Sequence, residues 1–258
     1  MIDFVKKLVL DASKEFFKTK KTIIGQKGGG GNWVSKTDVA LEKYLINKIK
    51  TKYPKDFIFA EETTSSLLPN SNRIWIIDPL DGTTNAVEGI NHCAISIAFM
   101  KENEILIGVV YDIFEKKLYW AEKGKGAFVN GKRIKVSNKG LNDSIVFIGS
   151  PYLHSDFLET EKYRVKVHKA GARIETLGSA VVEGVLIAQG SASLFFETAL
   201  KPWDVSAIKL IIEEAGGVVR GFDSELDVFN FYEFICGSKK AVKEFLSLLT
   251  LSNPKLTP

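Results

Sequence analysis

A chain of 258 residues, 45% hydrophobic and 26% charged, has the make-up of a globular protein long enough for one large domain or two lobes sharing an interface. Its 35 basic and 31 acidic side chains leave a formal charge of +4, and Lys and Glu alternate without a basic block, so composition gives no support to a nucleic-acid partner. Cys93 and Cys236 both sit in apolar runs, which argues for buried thiols in a reducing compartment; no apolar run reaches membrane-spanning length and the acid-bearing start does not read as a signal peptide, so the expectation is a cytoplasmic protein without a membrane partner.

Ile2, Val5, Leu8, Val9, Ala12 and Phe16 recur at helical spacing and predict a first helix with one buried stripe. Gly28 to Gly31 follow, a run whose backbone entropy a purely structural loop seldom gives up, and they read as a mobile flap. Leu41, Leu45 and Ile49 mark a second helix stopped at Tyr53-Pro54. Short strands are expected at "FIFA", "RIWII", "AISIAF", "ILIGVVY" and "KLYWAE", and Asn130-Gly131 inside "FVNGKRI" predicts a two-residue hairpin. Beyond about residue 138 strands and helices alternate: "SIVFIGS", then a helix over "LGSAVVEGVLIAQG", the strand "SLFFE", a helix over "DVSAIKLIIEEAGG" closed by Gly216-Gly217, the strand "EFICGS" and a last amphipathic helix. The expected class is α/β, with two tightly packed lobes at 1–137 and 138–250 and a loose tail at 251–258.

The chemistry concentrates in "WIIDPLDGTTN". A strand ending in Asp78 puts a carboxylate at the sheet edge, where ligands of α/β folds gather. Pro79 is expected to end the pairing and turn Asp81 back toward Asp78, leaving the Leu80 carbonyl without a ladder partner. Two carboxylates and a carbonyl are hard oxygen donors of the kind Mg²⁺ prefers, and the N–H groups of Gly82, Thr83 and Thr84 at a helix start form an anion cradle. Asp, Gly and Thr also favour ordinary turns, and Asp38 in "SKTD" and Asp204 in "KPWD" have the ordinary reading of helix caps worth about 1 kcal/mol. Taken with Glu61-Glu62 at the end of "FIFAEE", the acids at strand ends and helix starts beside a phosphate cradle argue for metal-assisted phosphate chemistry. Ser35 before Lys36 breaks the P-loop pattern, and the three-residue spacing of Asp78 and Asp81 departs from the D-x-D of aspartyl-phosphate enzymes.

"WIIDPLDGTTN", with "AEE" upstream and "PWDVSAIKLIIEEAGG" downstream, resembles the inositol monophosphatase family, within the lithium-sensitive, Mg²⁺-dependent sugar phosphatases that include fructose-1,6-bisphosphatases. The likeness covers nearly the whole chain, including "GVVYDIFEKKLYWAEKGKGAFVNGKRIKVS". It implies a layered α-β-α-β-α sandwich and a homodimer acting on a small phosphorylated polyol or sugar. By position it implies that Glu61, Asp78, the Leu80 carbonyl, Asp81 and Asp204 ligate two or three Mg²⁺ ions. It makes Thr83 and Asp38 the pair that orients the attacking water, and Lys27 the lysine of the flap. Glu62 would lie outside the metal set.

On the substrate side, Gly178, Ser179 and Ala180 match a segment whose backbone faces substrate hydroxyls, although small residues there also permit close helix packing. Glu197 matches an acid that accepts a substrate hydroxyl. Arg173 offers a guanidinium fork for a second phosphate, which would favour fructose-1,6-bisphosphate, or else pairs at the surface with Glu175. His154 and His168 lack the spaced partners of a metal site, and His92 follows Asn91 where many members of that family carry an aromatic-proline turn. The leading expectation is a Mg²⁺-dependent phosphatase on inositol-1-phosphate or a related sugar phosphate. The alternatives are a fructose-1,6-bisphosphatase or dual enzyme, a 3′-nucleotidase of the same superfamily, and a regulatory binding protein without turnover.

Overall fold

The computed structural model describes residues 1–19, 21–27, 33–63, 71–151, 154–222 and 225–250. The glycines read as a flap and the tail at 251–258 lie outside the described residues. The chain opens with α1 (Ile2–Lys18), the short antiparallel pair β1 (Ile23–Gln26) and β2 (Trp33–Ser35), and α2 (Lys36–Lys52). The β1–β2 pair, flanking the glycine run, was not read from the sequence. Seven strands follow as β3 (Phe57–Ala60), β4 (Arg73–Asp81), β5 (Ala94–Lys101), β6 (Glu104–Asp112), β7 (Lys117–Glu122), β8 (Ala127–Val129) and β9 (Lys132–Arg133), with α3 (Thr83–Glu88) between β4 and β5. They pair in chain order, β3 and β4 parallel and the rest antiparallel. Asn130 and Gly131 both have positive φ, 46° and 80°, as the hairpin between β8 and β9 requires.

A second sheet takes β10 (Ile145–Ile148), β11 (Arg173–Glu175), β12 (Leu194–Thr198), β13 (Val218–Arg220) and β14 (Glu233–Gly237) in the order β11-β10-β12-β14-β13. Its helices are α4 (His154–Lys169), α5 (Ala180–Ala188), α6 (Pro202–Glu214) and α7 (Lys239–Thr250). Of these elements α4, β11 and β13 were not read from the sequence. α6 starts two residues before Asp204, with Pro202 in the first turn, where its missing N–H costs nothing.

Three apolar layers hold the stack together. Val5, Val9 and Phe16 of α1 and Leu41, Leu45 and Ile49 of α2 bury against Trp75, Ile77, Ile95 and Ile97 on one face of the large sheet. Ile74, Ile76 and Ala98 point to the other face, against Val181, Val185, Ile208 and Ile211 of α5 and α6, and those helices cover Phe195 and Phe234 of the small sheet. On its far side Val146, Leu194, Phe196 and Ile235 pack against Val167 of α4 and Val242 and Phe245 of α7. The architecture is the layered α-β-α-β-α sandwich. Strand alternation produces it directly, since neighbours such as Ile76 and Ile77 serve different layers. Both cysteines are free and buried, and no helix among the described residues is long and apolar enough to cross a membrane.

Candidate active site

Pro79 does not end β4: the strand continues to Asp81, with a bulge against β5. Asp78 pairs with Ser96 and Asp81 with Ala94, so three steps on β4 match two on β5. A proline is tolerated there because the bulge already interrupts the ladder. In a regular strand, residues three apart face opposite sides. The extra residue restores the parity, and Asp78 and Asp81 share the side that faces α6 while Leu80 packs toward α1 and α2. Asp204, in the first turn of α6, meets them there. One carboxylate oxygen from each of the three lies within 4.8 Å of the others. Asp204 is held by the Lys201 N–H, 2.7 Å from its Oδ2, and Asp78 by the Leu80 N–H at 2.9 Å.

The left-handed Gly82 (φ 84°) turns the chain from β4 into α3, and an added Cβ would lie 2.5 Å from the His92 carbonyl oxygen. One residue later Thr83 Oγ1 sits 2.5 Å from Asp38 Oδ1 and 3.0 Å from the Leu80 carbonyl oxygen. Ser35 caps α2, and its N–H donates to Asp38 Oδ2 at 2.8 Å, as does its hydroxyl. Asp38 is therefore not the cap itself but the third residue of a capping box. One of its oxygens is tied to Ser35 and the other faces Thr83 across 45 residues of chain. The Gly82 N–H donates to Asp81, so part of the expected anion cradle is engaged by the protein's own carboxylate.

Lys27 places its ammonium 2.9 Å from Glu61 Oε1 and 2.7 Å from Glu62 Oε1. Glu62 is thus a partner of Lys27, and its N–H donates to Glu42 Oε2 at 2.7 Å. Glu42 Oε1, also buried, has no partner among the described residues. Burial works against the Lys27 charge, but the two glutamates outweigh it and hold the ammonium above the usual lysine value. Burial pushes Glu61 up to about 7 against the pull of Lys27. Burial, with Glu61, Asp81 and Asp204 around it, holds Asp78 well above the carboxylate range, and burial with Asp81 and Glu61 does the same to Asp204. Asp81 is pushed by burial to about 6, restrained by hydrogen bonds from Ser179, Val181 and Gly82. Four carboxylates crowded this way are short of positive charge. An all-oxygen donor set with a deficit of cations fits Mg²⁺.

The segment from Leu177 to Val181 lies beside Asp81, which accepts the Ser179 hydroxyl and the Val181 N–H, the latter at 2.8 Å. Asn85 reaches the same segment from α3, its amide 2.8 Å from the Leu177 carbonyl and 2.9 Å from that of His92. Glu183, 1% exposed, accepts the Leu177 N–H at 2.5 Å, and burial pushes it to about 8. Glu197 sits against Gly149, where a Cβ would come within 2.1 Å of its carboxyl carbon. Burial, then Glu183, Asp204 and Asp81, keep Glu197 well above the usual range. Gly178, Ser179, Ala180 and Glu197 are therefore gathered on the acids' side.

Arg173 is not. It stands four residues before Leu177 on an edge strand, a span of about 13 Å, with its side chain 77% exposed and its Nε 2.6 Å from Glu175. It lines a separate cavity of about 360 Å³ with Lys139, Asp143 and Ser191. The surface ion pair is the correct reading, because the parallel pairing with β10 puts Arg173 opposite Ile145, at the strand end away from Gly149. Asn85 and Glu183 went unassigned from the sequence. Asp38 and Thr83, paired by the resemblance, are hydrogen-bonded, whereas the capping box of Ser35 and Asp38 was not read from the sequence.

A sequence profile described as the inositol monophosphatase family matches residues 3–251. A "Nus factor SuhB" of Salmonella typhimurium is 31% identical over 233 residues, covering 90% of this chain and 87% of the relative. A "Fructose-1,6-bisphosphatase/inositol-1-monophosphatase" of Thermotoga maritima is 34% identical over 203 residues, 78% of this chain and 76% of its own length. The solved structure of a Thermotoga maritima IMPase superposes with a TM-score of 0.87 at 30% identity, covering 99% of this chain and 98% of that one.

Proposed function

The chain belongs to the inositol monophosphatase family, and from that premise we propose that it is a Mg²⁺-dependent phosphomonoesterase releasing phosphate from inositol-1-phosphate or a related polyol or sugar phosphate. The reading is carried by one arrangement: three aspartate oxygens within 4.8 Å of one another, next to a Thr83–Asp38 hydrogen bond. Asp78, Asp81, Asp204, Glu61 and the Leu80 carbonyl would hold two or three ions. When bound, Mg²⁺ supplies a Lewis acid that polarises the phosphoryl oxygens and acidifies nearby water.

The protein's own groups do the rest. Asp38, anchored by Ser35, accepts the Thr83 hydroxyl proton and so turns the Thr83 lone pairs toward an attacking water. The water's proton passes to Thr83 as Thr83's own proton passes to Asp38; the water oxygen bonds to phosphorus as the ester P–O bond breaks, and the leaving alkoxide takes a proton from a second water, without a covalent enzyme intermediate. The first turn of α3 donates N–H groups to phosphate oxygens. Ser179, Ala180 and Glu197 face the alcohol part of the substrate, and Lys27 is available to leave the glutamates for the phosphate. The working unit is a homodimer in this reading, which light scattering would check.

The test is phosphate release with Mg²⁺ from inositol-1-phosphate, fructose-1,6-bisphosphate and 3′-phosphoadenosine 5′-phosphate, with Asp204→Asn as control. Release from one or two of them, lost in the variant, is the expected result. The Thermotoga relative's double name supports a dual inositol-phosphate and fructose-bisphosphate activity, although Arg173 no longer offers the second-phosphate grip. Relatives named Nus factor support a second reading, a regulatory binding protein that retains the fold. Absence of release from all three substrates at every Mg²⁺ level would favour it.

A further inference from the structure

Between Leu177 and Val182 side chains hold six backbone polar groups, and three residues do most of the holding. Glu183 accepts the N–H groups of Leu177 and Gly178. Asn85 shares its amide hydrogens among the carbonyls of Leu177 at 2.8 Å, Gly178 at 3.2 Å and His92 at 2.9 Å. Asp81 takes the Ser179 hydroxyl and the Val181 N–H, and the Val182 N–H goes to Ser179 Oγ at 3.2 Å. Gly178 is left-handed at φ 73°, and a Cβ on it would lie 3.2 Å from Asn85 Oδ1, so the segment fits closely over the amide. The Ser179 and Ala180 N–H groups, at the start of α5, have no acceptor among the described residues. The carbonyls of Leu177, Gly178 and Ser179 are engaged, and two adjacent donors are left over beside Asp81.

Holding a loop does not require a glutamate buried to 1% with no ion pair of its own among the described residues; a buried carboxyl is costly and is useful where its two oxygens fix two donors at once. Asn85 belongs to the helix that follows the metal-binding turn, and Glu183 to the helix that follows the loop. The loop is therefore set against the turn from both sides. We propose that Glu183, together with Asn85, is a positioning residue for substrate specificity: it orients Gly178 to Ala180 so that the free N–H groups of Ser179 and Ala180 are presented to a hydroxyl of the substrate's alcohol part. This rests on the phosphomonoesterase reading above.

The experiment compares Glu183→Ala and the shape-preserving Glu183→Gln with the unaltered chain. The substrates are inositol-1-phosphate and p-nitrophenyl phosphate, whose leaving group has no polyol hydroxyls. Amide exchange of the segment around Leu177 and Gly178 is followed in parallel. For Glu183→Ala the KM for inositol-1-phosphate rises about tenfold with kcat changed far less, while kcat/KM for p-nitrophenyl phosphate and the Mg²⁺ half-saturation shift by less than about threefold. Glu183→Gln, which keeps one accepting oxygen, falls between, and covers the case in which the alanine variant does not fold. Equal losses on both substrates, or an unchanged KM for the polyol phosphate, overturn the proposal. If the unaltered chain hydrolyses neither substrate, the functional reading falls and the exchange decides the clamp by itself. Faster exchange confined to this segment then upholds it, and unchanged exchange overturns it.

Discussion

Two buried acid sites sit at the two ends of β4 and have opposite characters. Near its start, Asp56 is 4% exposed and fully partnered: Arg73 grips both oxygens at 2.7 and 2.9 Å, and the Trp75 indole N–H adds a third bond at 2.9 Å. Burial alone would raise its pKa, yet Arg73 and Trp75 outweigh it and hold Asp56 below the usual value. At the other end Asp78, Asp81 and Asp204 face each other, with Lys27 pairing only the adjacent Glu61 and Glu62. Their values are raised. Burial is common to both, so burial alone does not decide which way a buried acid is shifted. The supply of cations does.

The largest expected break is Asp204→Asn. It should lower turnover on the order of 10²–10³-fold or more, yet leave the thermal midpoint of the metal-free protein unchanged or higher, because it removes one of several repelling charges. A clear fall in that midpoint would show that the cluster is held together as Asp56 is. Next, Gly82→Ala forces a side chain onto the His92 carbonyl at a left-handed position. It should lose about 1–3 kcal/mol in urea unfolding and at least about tenfold in turnover through misplaced groups. Asp56→Asn should lose about 1–3 kcal/mol while turnover per folded molecule stays within about twofold.

The smallest effect is in pH. Asp81, Glu61 and Glu183 have folded values of about 6, 7 and 8, above their ordinary ones, so the folded state binds the extra protons. Their stabilising contribution is complete below about pH 4 and is lost as pH rises through those values. Asp56, shifted down, contributes above its ordinary value and loses it as pH falls. The metal-free protein should therefore melt several degrees lower at pH 8 than at pH 5.5, at about 2–4 °C per kcal/mol. Mg²⁺ should raise the midpoint more at pH 8, where it does not compete with protons. An equal gain at both pH values would separate metal binding from these acids.

The cluster was largely legible because its acids sit at element ends whose signals are local: Asp78 after "WII", Asp81 before Gly82-Thr83, Asp204 behind Pro202. The layers were legible too, from the alternation in β4 and β5 and the apolar faces of α5 and α6. What one chain does not encode visibly is pairing at a distance. The bulge at Pro79 depends on β5, the Lys27–Glu62 pair on a contact across 35 residues, and the Asn85–Leu177 bond on one across 92. The two readings of Arg173 stayed open for the same reason, since only the register with β10 tells which end of the strand it occupies.

The bulge also changes what kinds of error the gene can tolerate. A substitution at Leu80 alters packing against α1 and α2 but keeps both aspartates on one face. Loss of a single codon at 79 or 80 would erase the extra residue and bring the aspartates two apart on a regular strand, still facing together. Loss of both would set them one apart, on opposite faces of a regular strand, and gain of one would set them four apart, facing together only if the strand ran without the bulge. The spacing of this turn is thus counted in parity: a chain one residue shorter here can keep the two carboxylates on one face, but without the bulge that now sets the Leu80 carbonyl against Thr83.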